Sequence, residues 1–299
     1  MATAGKGGLL QLVEYAIYRT ITAMISIASA ATARRWGRRI GRLSARLLTR
    51  RTHLAFDNLR RTFPEKTAAE CRAIALACWE HFGETLLEYF RTQREPIEEI
   101  VARFDIANRE ILDSAIAAQR GVVIISAHFG SWEFGAALLS TLDMEITAVA
   151  RLLDNKYLQR DVLRARERSG VNIVDRRRAA RSLVKTLERG GAVVMLPDQA
   201  VKPHEGILVP FLGRDAWTSP AAARLTLRYG APIVGAFCYP NGERFRLELT
   251  SIDPAILPES ERTTEAVTRR INDMISERVR RTPELWLWMH NRWKGSPSL

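Results

Sequence analysis

The chain has 299 residues, 46% of them hydrophobic, and a formal net charge of +12. Such a length and apolar share supply a sizeable core and exclude wholesale disorder. The three cysteines, Cys71, Cys78 and Cys238, contain no CxxC pair and cannot form a closed disulfide framework; they read as reduced core residues in a reducing, cytoplasmic environment.

The charge is unevenly placed. Residues 1–62 hold twelve Lys or Arg against only Glu14 and Asp57, so the N-terminal fifth is expected to meet something anionic. From Gly8 to Ala33 the chain is apolar apart from Glu14 and Arg19, and its longest uncharged run, Thr20 to Ala33, has fourteen residues. A spanning helix needs about 20 apolar residues, so this segment suits an interfacial or buried helix better. The small residues at 28–33 also resemble a cleavage site, which keeps processing open as an alternative. In the following stretch Trp36, Ile40, Leu43 and Leu47 form an apolar stripe, while Arg34, Arg35, Arg38, Arg39, Arg42 and Arg46 cover the other side. Eight arginines without an acid between residues 34 and 51 favour a helix that presents its arginines to phospholipid headgroups over an ordinary solvated face. A single spanning anchor followed by cytoplasmic arginines is the other arrangement.

No repeat or linker divides the remainder. The expected organisation is a helical membrane-associating segment over 1–62 and one α/β domain over 63–299. After Phe63-Pro64-Glu65, residues 67–91 read as one helix. Val122 to Ser126 is a buried strand opened by Gly121, followed by a helix over 131–140. Further strands are expected at 146–150, 171–174, 192–196, 207–211, 232–239 and 244–249, and helices at 156–168, 176–189, 219–229 and 262–281. Strands alternating with helices imply a mixed, mainly parallel sheet flanked by helices. The clean alternation at 244–250 suggests an edge strand.

His128 follows the buried strand directly, where reactive groups of open α/β sheets collect. A histidine there can accept a hydroxyl proton near neutral pH. Glu133, five residues on, is expected to hold the other ring nitrogen and balance the imidazolium. The plain alternative is a core histidine beside a helix-capping carboxylate. No nucleophile elbow and no HExxH pair is present, so direct attack by an acceptor hydroxyl fits better than a covalent enzyme intermediate, and neither metal nor cofactor is expected.

The block Ser126-Ala-His128-Phe-Gly-Ser-Trp-Glu133-Phe-Gly resembles the H-x4-E/D signature of the late acyltransferases of bacterial lipid A biosynthesis, a family that includes the phosphatidylinositol mannoside acyltransferases. The resemblance continues in order through Asn58-Leu59 and Phe63-Pro64, then Ala150-Arg151-Leu-Leu-Asp-Asn155, Arg166 and Gly170. Leu196-Pro-Asp198-Gln199, Val209-Pro-Phe-Leu-Gly213 and Trp286-Leu-Trp-Met-His-Asn-Arg-Trp-Lys294 complete it, so it covers nearly the whole chain. It implies a glycerolipid-acyltransferase-like fold and a catalytic dyad of His128 and Glu133. Arg151 and Arg166 are implied near substrate or the thioester carbonyl, where a guanidinium steadies an oxyanion or grips a phosphate. Asp198 is implied to orient an arginine or an acceptor hydroxyl, Asn155 to contact substrate, and His290, Arg292 and Lys294 to serve structure or headgroups. Two departures, Leu152 for Pro and Ser131 for Asn, lie beside the dyad and blur the acceptor's identity.

The resemblance therefore implies acyl transfer from a thioester donor, an acyl carrier protein, to a hydroxyl of a lipid A precursor at the cytoplasmic face of the bacterial inner membrane, with an anionic membrane surface as partner and no nucleic acid. The alternative keeps the chemistry with a phosphatidylinositol mannoside or other glycolipid as acceptor and acyl-CoA as donor. A noncatalytic basic protein that binds membranes or nucleic acid would explain the arginines but not the ordered motifs, and a basic groove interleaved with stacking aromatics is lacking.

Overall fold

A computed structural model describes residues 8–150, 152–175 and 178–297. Four helices come first: α1 (Gly8–Ile25), α2 (Ala30–Leu47), α3 (Thr49–Thr62) and α4 (Ala68–Arg91), followed by the short α5 (Ile97–Val101). The α/β part then runs β1 (Phe104–Ala107), α6 (Arg109–Ala117), β2 (Val122–Ile125), α7 (Trp132–Gly135), β3 (Ile146–Ala150), α8 (Lys156–Glu167), β4 (Val171–Asp175), α9 (Ala179–Glu188) and β5 (Ala192–Met195). A hairpin of β6 (Ile207–Phe211) and β7 (Arg214–Thr218) precedes α10 (Ala221–Tyr229), β8 (Ile233–Asn241), β9 (Arg244–Ile252) and α11 (Thr264–Arg281).

The seven-stranded sheet has the order β1-β9-β8-β2-β5-β3-β4, parallel except for the antiparallel β8–β9 pair. This is the expected mixed, mainly parallel architecture. Strand β9 is not an edge: β1, which the sequence reading passed over, pairs with it from outside. One face packs with α3, α4, α9, α10 and α11 in a core containing Val123, Ile125, Leu59, Trp79 and Ile275. The other packs under α6, α7 and a 3-10 turn, around Ile124, Phe134 and Leu247. Ala45, Ala55 and Leu59 share the first core with the strands, so residues beyond α1 are built into the domain rather than appended to it.

Helix α4 starts with a reciprocal cap: Glu70 N donates to Thr67 Oγ1 at 3.2 Å and Thr67 N donates to Glu70 Oε2 at 2.7 Å. It packs tightly on α2 through small residues. A Cβ added at Gly41 would lie 2.1 Å from the Trp79 carbonyl oxygen, and one at Gly83 would lie 2.3 Å from that of Gly37. This close crossing turns α2 the opposite way from the expectation. Arg34, Arg38 and Arg42 pair with Glu88, Glu84 and Glu80 of α4 and serve the helix–helix contact rather than headgroups. The stripe of Trp36, Ile40, Leu43 and Leu47 faces outward, 41–71% exposed.

Helix α1 has two unlike sides. Leu9, Val13, Ile17 and Met24 are exposed, whereas Tyr15 Oη donates to Asp161 Oδ2 on α8 at 2.9 Å and the Gln11 carbonyl accepts from Asn155 Nδ2 at 2.8 Å. Among the described residues no helix is long and apolar enough to cross a membrane.

Candidate active site

Strands β2 and β5 are parallel neighbours in register, with Ile125 opposite Met195. Both are apolar runs that break at the same edge of the sheet, delivering His128 and Asp198 side by side. Asp198 Oδ1 is 2.9 Å from His128 Nδ1, and Asp198 Oδ2 accepts both the His128 backbone N–H at 2.9 Å and the indole N–H of Trp286 at 2.9 Å. The carboxylate is 1% exposed. Burial alone would raise its pKa, but the facing imidazole and three hydrogen bonds outweigh burial and hold it down at about 2. Burial likewise disfavours the imidazolium, yet the charge and hydrogen bond of Asp198, with the charge of Glu133 behind them, hold His128 above the ordinary histidine value.

An ionised Asp198 fixes the neutral ring with its proton on Nδ1. Nε2 then carries the lone pair and accepts from Gln199 Nε2 at 3.2 Å. The ring stays partly exposed, and Trp132 lies against it with centroids 5.7 Å apart.

Glu133 does not take the place expected of it. Its Oε1 accepts from Arg166 of α8 at 3.0 Å, so the imidazole's carboxylate partner is Asp198, and Glu133 acts on the ring only through space. The cause is local: α7 begins at Trp132, directing Glu133 along the cavity wall toward α8. Arg166 is thus brought beside Glu133. Asn155 is not. Its Oδ1 caps α8 by accepting from Tyr157 N and Leu158 N at 3.0 and 3.3 Å, and its Nδ2 is engaged by α1. That makes it a buried fastener in place of a substrate contact. Arg151 lies outside the described residues. Gln199 and Trp286 were missed as site residues, although both stand in the quoted sequence blocks.

His128, Glu133 and Arg166 open onto a cavity of about 740 Å³ whose wall is mostly aliphatic, including Leu112, Ile124, Leu138, Val194, Ala236 and Leu249. Among the described residues no group of His, Cys, Asp and Glu is arranged to hold a metal ion. The free cysteines are buried, as expected. An oriented imidazole, an arginine–carboxylate pair and an apolar cavity could together support proton removal from a hydroxyl beside a bound chain.

The chain resembles lipid A biosynthesis lauroyltransferase of Escherichia coli (strain K12), with 26% identity over 88% of this chain and 85% of that protein. It is similarly related to the lipid A biosynthesis palmitoleoyltransferase of the same strain, 27% over 87% and 84%. A phosphatidylinositol mannoside acyltransferase of Mycobacterium tuberculosis (strain ATCC 25618 / H37Rv) is 24% identical over 79% and 75%. The crystal structure of the 1-acyl-sn-glycerophosphate acyltransferase from Thermotoga maritima aligns with 83% of this chain and 99% of that one, at 14% identity and a TM-score of 0.39, too low to establish a common fold. The model of the bacterial lipid A biosynthesis acyltransferase family matches residues 5–295. The chain belongs to that family and is an acyltransferase.

Proposed function

We propose that the protein moves a fatty acyl chain from an acyl carrier protein thioester to a hydroxyl of a lipid A precursor, with His128 as general base. The observation that carries this reading is the position of His128 Nε2: it is oriented through Nδ1 by Asp198 and stands at the wall of an aliphatic cavity fit for an acyl chain. Nε2 takes the acceptor's hydroxyl proton while that oxygen attacks the thioester carbonyl. The resulting oxyanion lies within the field of the Arg166 guanidinium. Collapse breaks the carbon–sulfur bond, and the thiolate leaves with the proton returned by the imidazolium. Asp198 and Glu133 supply negative charge while His128 is cationic. General-base help of this kind is worth about 10²–10⁴ in rate.

Mass spectrometry of lipids from cells with and without the gene tests the acceptor. Loss of one acyl chain from lipid A supports the reading; loss from a phosphatidylinositol mannoside favours the alternative that the mycobacterial relative suggests. Purified enzyme given acyl carrier protein and CoA thioesters in parallel identifies the donor.

The N-terminal helices are the proposed membrane face, in an orientation opposite to the arginine-first expectation. The exposed apolar rows of α1 and α2 rest on the cytoplasmic leaflet of the inner membrane, and the exposed Arg35, Arg39 and Arg46 flank them at headgroup level. In this reading the enzyme is a peripheral protein.

A further inference from the structure

The segment after α11 touches both catalytic loops at once. Gly130 N donates to the Leu285 carbonyl at 2.8 Å and Leu287 N donates to the His128 carbonyl at 3.1 Å, which lays the segment against the loop leaving β2. From the same segment, Trp286 Nε1 reaches Asp198 Oδ2 at 2.9 Å, and His290 Nε2 accepts from Ala200 N at 3.1 Å. Residues 198 and 200 are thereby fixed on either side of Gln199, whose amide faces the reactive nitrogen of His128.

The segment is itself held from behind. Cys78 Sγ donates to the Trp286 carbonyl, Asn58 Nδ2 to the carbonyls of Trp288 and His290, and Arg51 to that of Met289. Arg292, fully buried, donates to the Trp217 carbonyl and Thr218 Oγ1 at the end of β7.

We propose that Trp286 and His290 are positioning residues of the acyl-transfer site, clamping the Asp198–Ala200 loop against the loop of His128 from one C-terminal strap. This rests on the acyl-transfer reading for its consequence in turnover. Packing alone does not require these polar ends. An indole N–H in a core needs some acceptor, and a backbone carbonyl would serve; here it goes to the carboxylate that orients the base. His290 meets a backbone N–H with an unprotonated nitrogen, a role its burial supports by keeping the ring neutral. Neither residue lines the cavity, so each acts through another.

The test compares full-length wild type with Trp286→Phe, His290→Leu and His290→Gln in detergent. It reads melting temperature, kcat and KM for the acyl donor, and the NMR signal of the His128 Nδ1 proton. Losing one hydrogen bond to a group that orients the base is expected to lower kcat about tenfold in Trp286→Phe and His290→Leu, with KM within about twofold. His290→Gln, whose carbonyl can still accept from Ala200 N, restores most of that kcat. The Nδ1 proton signal shifts in Trp286→Phe. Unchanged kcat, a rise in KM alone, or a loss of activity that only follows the loss of folded protein would overturn the proposal. If Trp286→Phe does not fold, the His290 Leu/Gln pair decides: equal kcat in the two overturns it. If wild type transfers no acyl chain while the Nδ1 signal still responds, the acyl-transfer reading fails and the clamp stands.

Discussion

His128 and Asp198 each lie three residues beyond a directly paired couple, Ile125 and Met195, on adjacent parallel strands. The register of two buried strands thus sets the 2.9 Å contact between imidazole and carboxylate. Two rigid elements end side by side, so the imidazole proposed as base is oriented before any substrate arrives.

The first prediction follows from the sign of that interaction. Asp198 raises the His128 pKa above 6.5, so the acid limb of kcat/KM, which reports formation of the neutral base, lies above that value. Asp198→Asn removes the charge and moves the limb to lower pH, while cutting plateau activity by about 10² or more. A rate–pH profile of both proteins checks it; a limb unmoved in the Asn variant would mean that another group titrates.

Glu133 and Arg166 are expected to act as a unit. Arg166→Lys keeps charge but loses the planar fork, and should lower kcat at least about tenfold. The exposed Arg164→Lys should stay within about twofold. Because the 3.0 Å pair is shared, Glu133→Gln combined with Arg166→Lys should cost less than the product of the two single losses. Multiplicative effects in this double-mutant cycle would show that the two side chains work separately.

Stability should fall as the solution is acidified. Burial holds His290 near 4 against an ordinary 6.5, so the unfolded chain binds a proton that the folded one refuses between those values. The folded state therefore loses stability as pH drops from about 6.5 to 4, by up to about 3 kcal/mol. Asp198, with the pKa about 2 given above, extends the loss below pH 4. His128 opposes the slope: its raised pKa stabilises the fold below about 6.5, and that contribution fades as pH rises through the folded value. Urea unfolding at pH 7, 5.5 and 4.5 measures the net slope, to which buried His81, also held near 4, adds; His290→Gln should reduce it.

The two faces of α2 should fail differently. Replacing Trp36, Ile40 and Leu43 with Ser is expected to weaken co-sedimentation with anionic vesicles at least about tenfold while leaving the melting temperature near wild type. Changing Arg35, Arg39 and Arg46 to Gln should weaken it by about fivefold per residue at most, and raised salt should mimic this. Gly41→Ala should instead destabilise the fold, by about 1–3 kcal/mol or more, since its Cβ meets backbone at 2.1 Å.

What the sequence could reveal depended on whether the signal was local. The buried run at 122–126 and the alternation of strands with helices located the sheet, and the position of His128 after a strand pointed to the histidine proposed as base. The orientation of α2 was not local. Its periodicity separates an apolar stripe from arginines, but which side is covered depends on Glu80, Glu84 and Glu88 one turn apart on α4, and on Gly37, Gly41 and Gly83 at the crossing. Those acids and glycines were visible without the contact that joins them. The partner of His128 was obscured for a similar reason: Glu133 is near in sequence, whereas Asp198 arrives through strand pairing. Strand β9 read as an edge because β1 has only four residues, and β7 was hidden by Arg214 and Asp215 in an otherwise short apolar run.

Helix α1 also sets how closely events at its outer surface are linked to Arg166. Tyr15 and Arg19 hold Asp161 of α8, and Gln11 and Glu14 receive the amide that caps the same helix. Arg166 projects from α8 little more than one turn past Asp161. A single helix therefore separates the outermost apolar row from the arginine that grips Glu133, and shearing or lifting α1 would be transmitted directly to it. Removing residues 1–33 would unfasten α8, so a truncated enzyme would be slow even toward a freely dissolved acceptor.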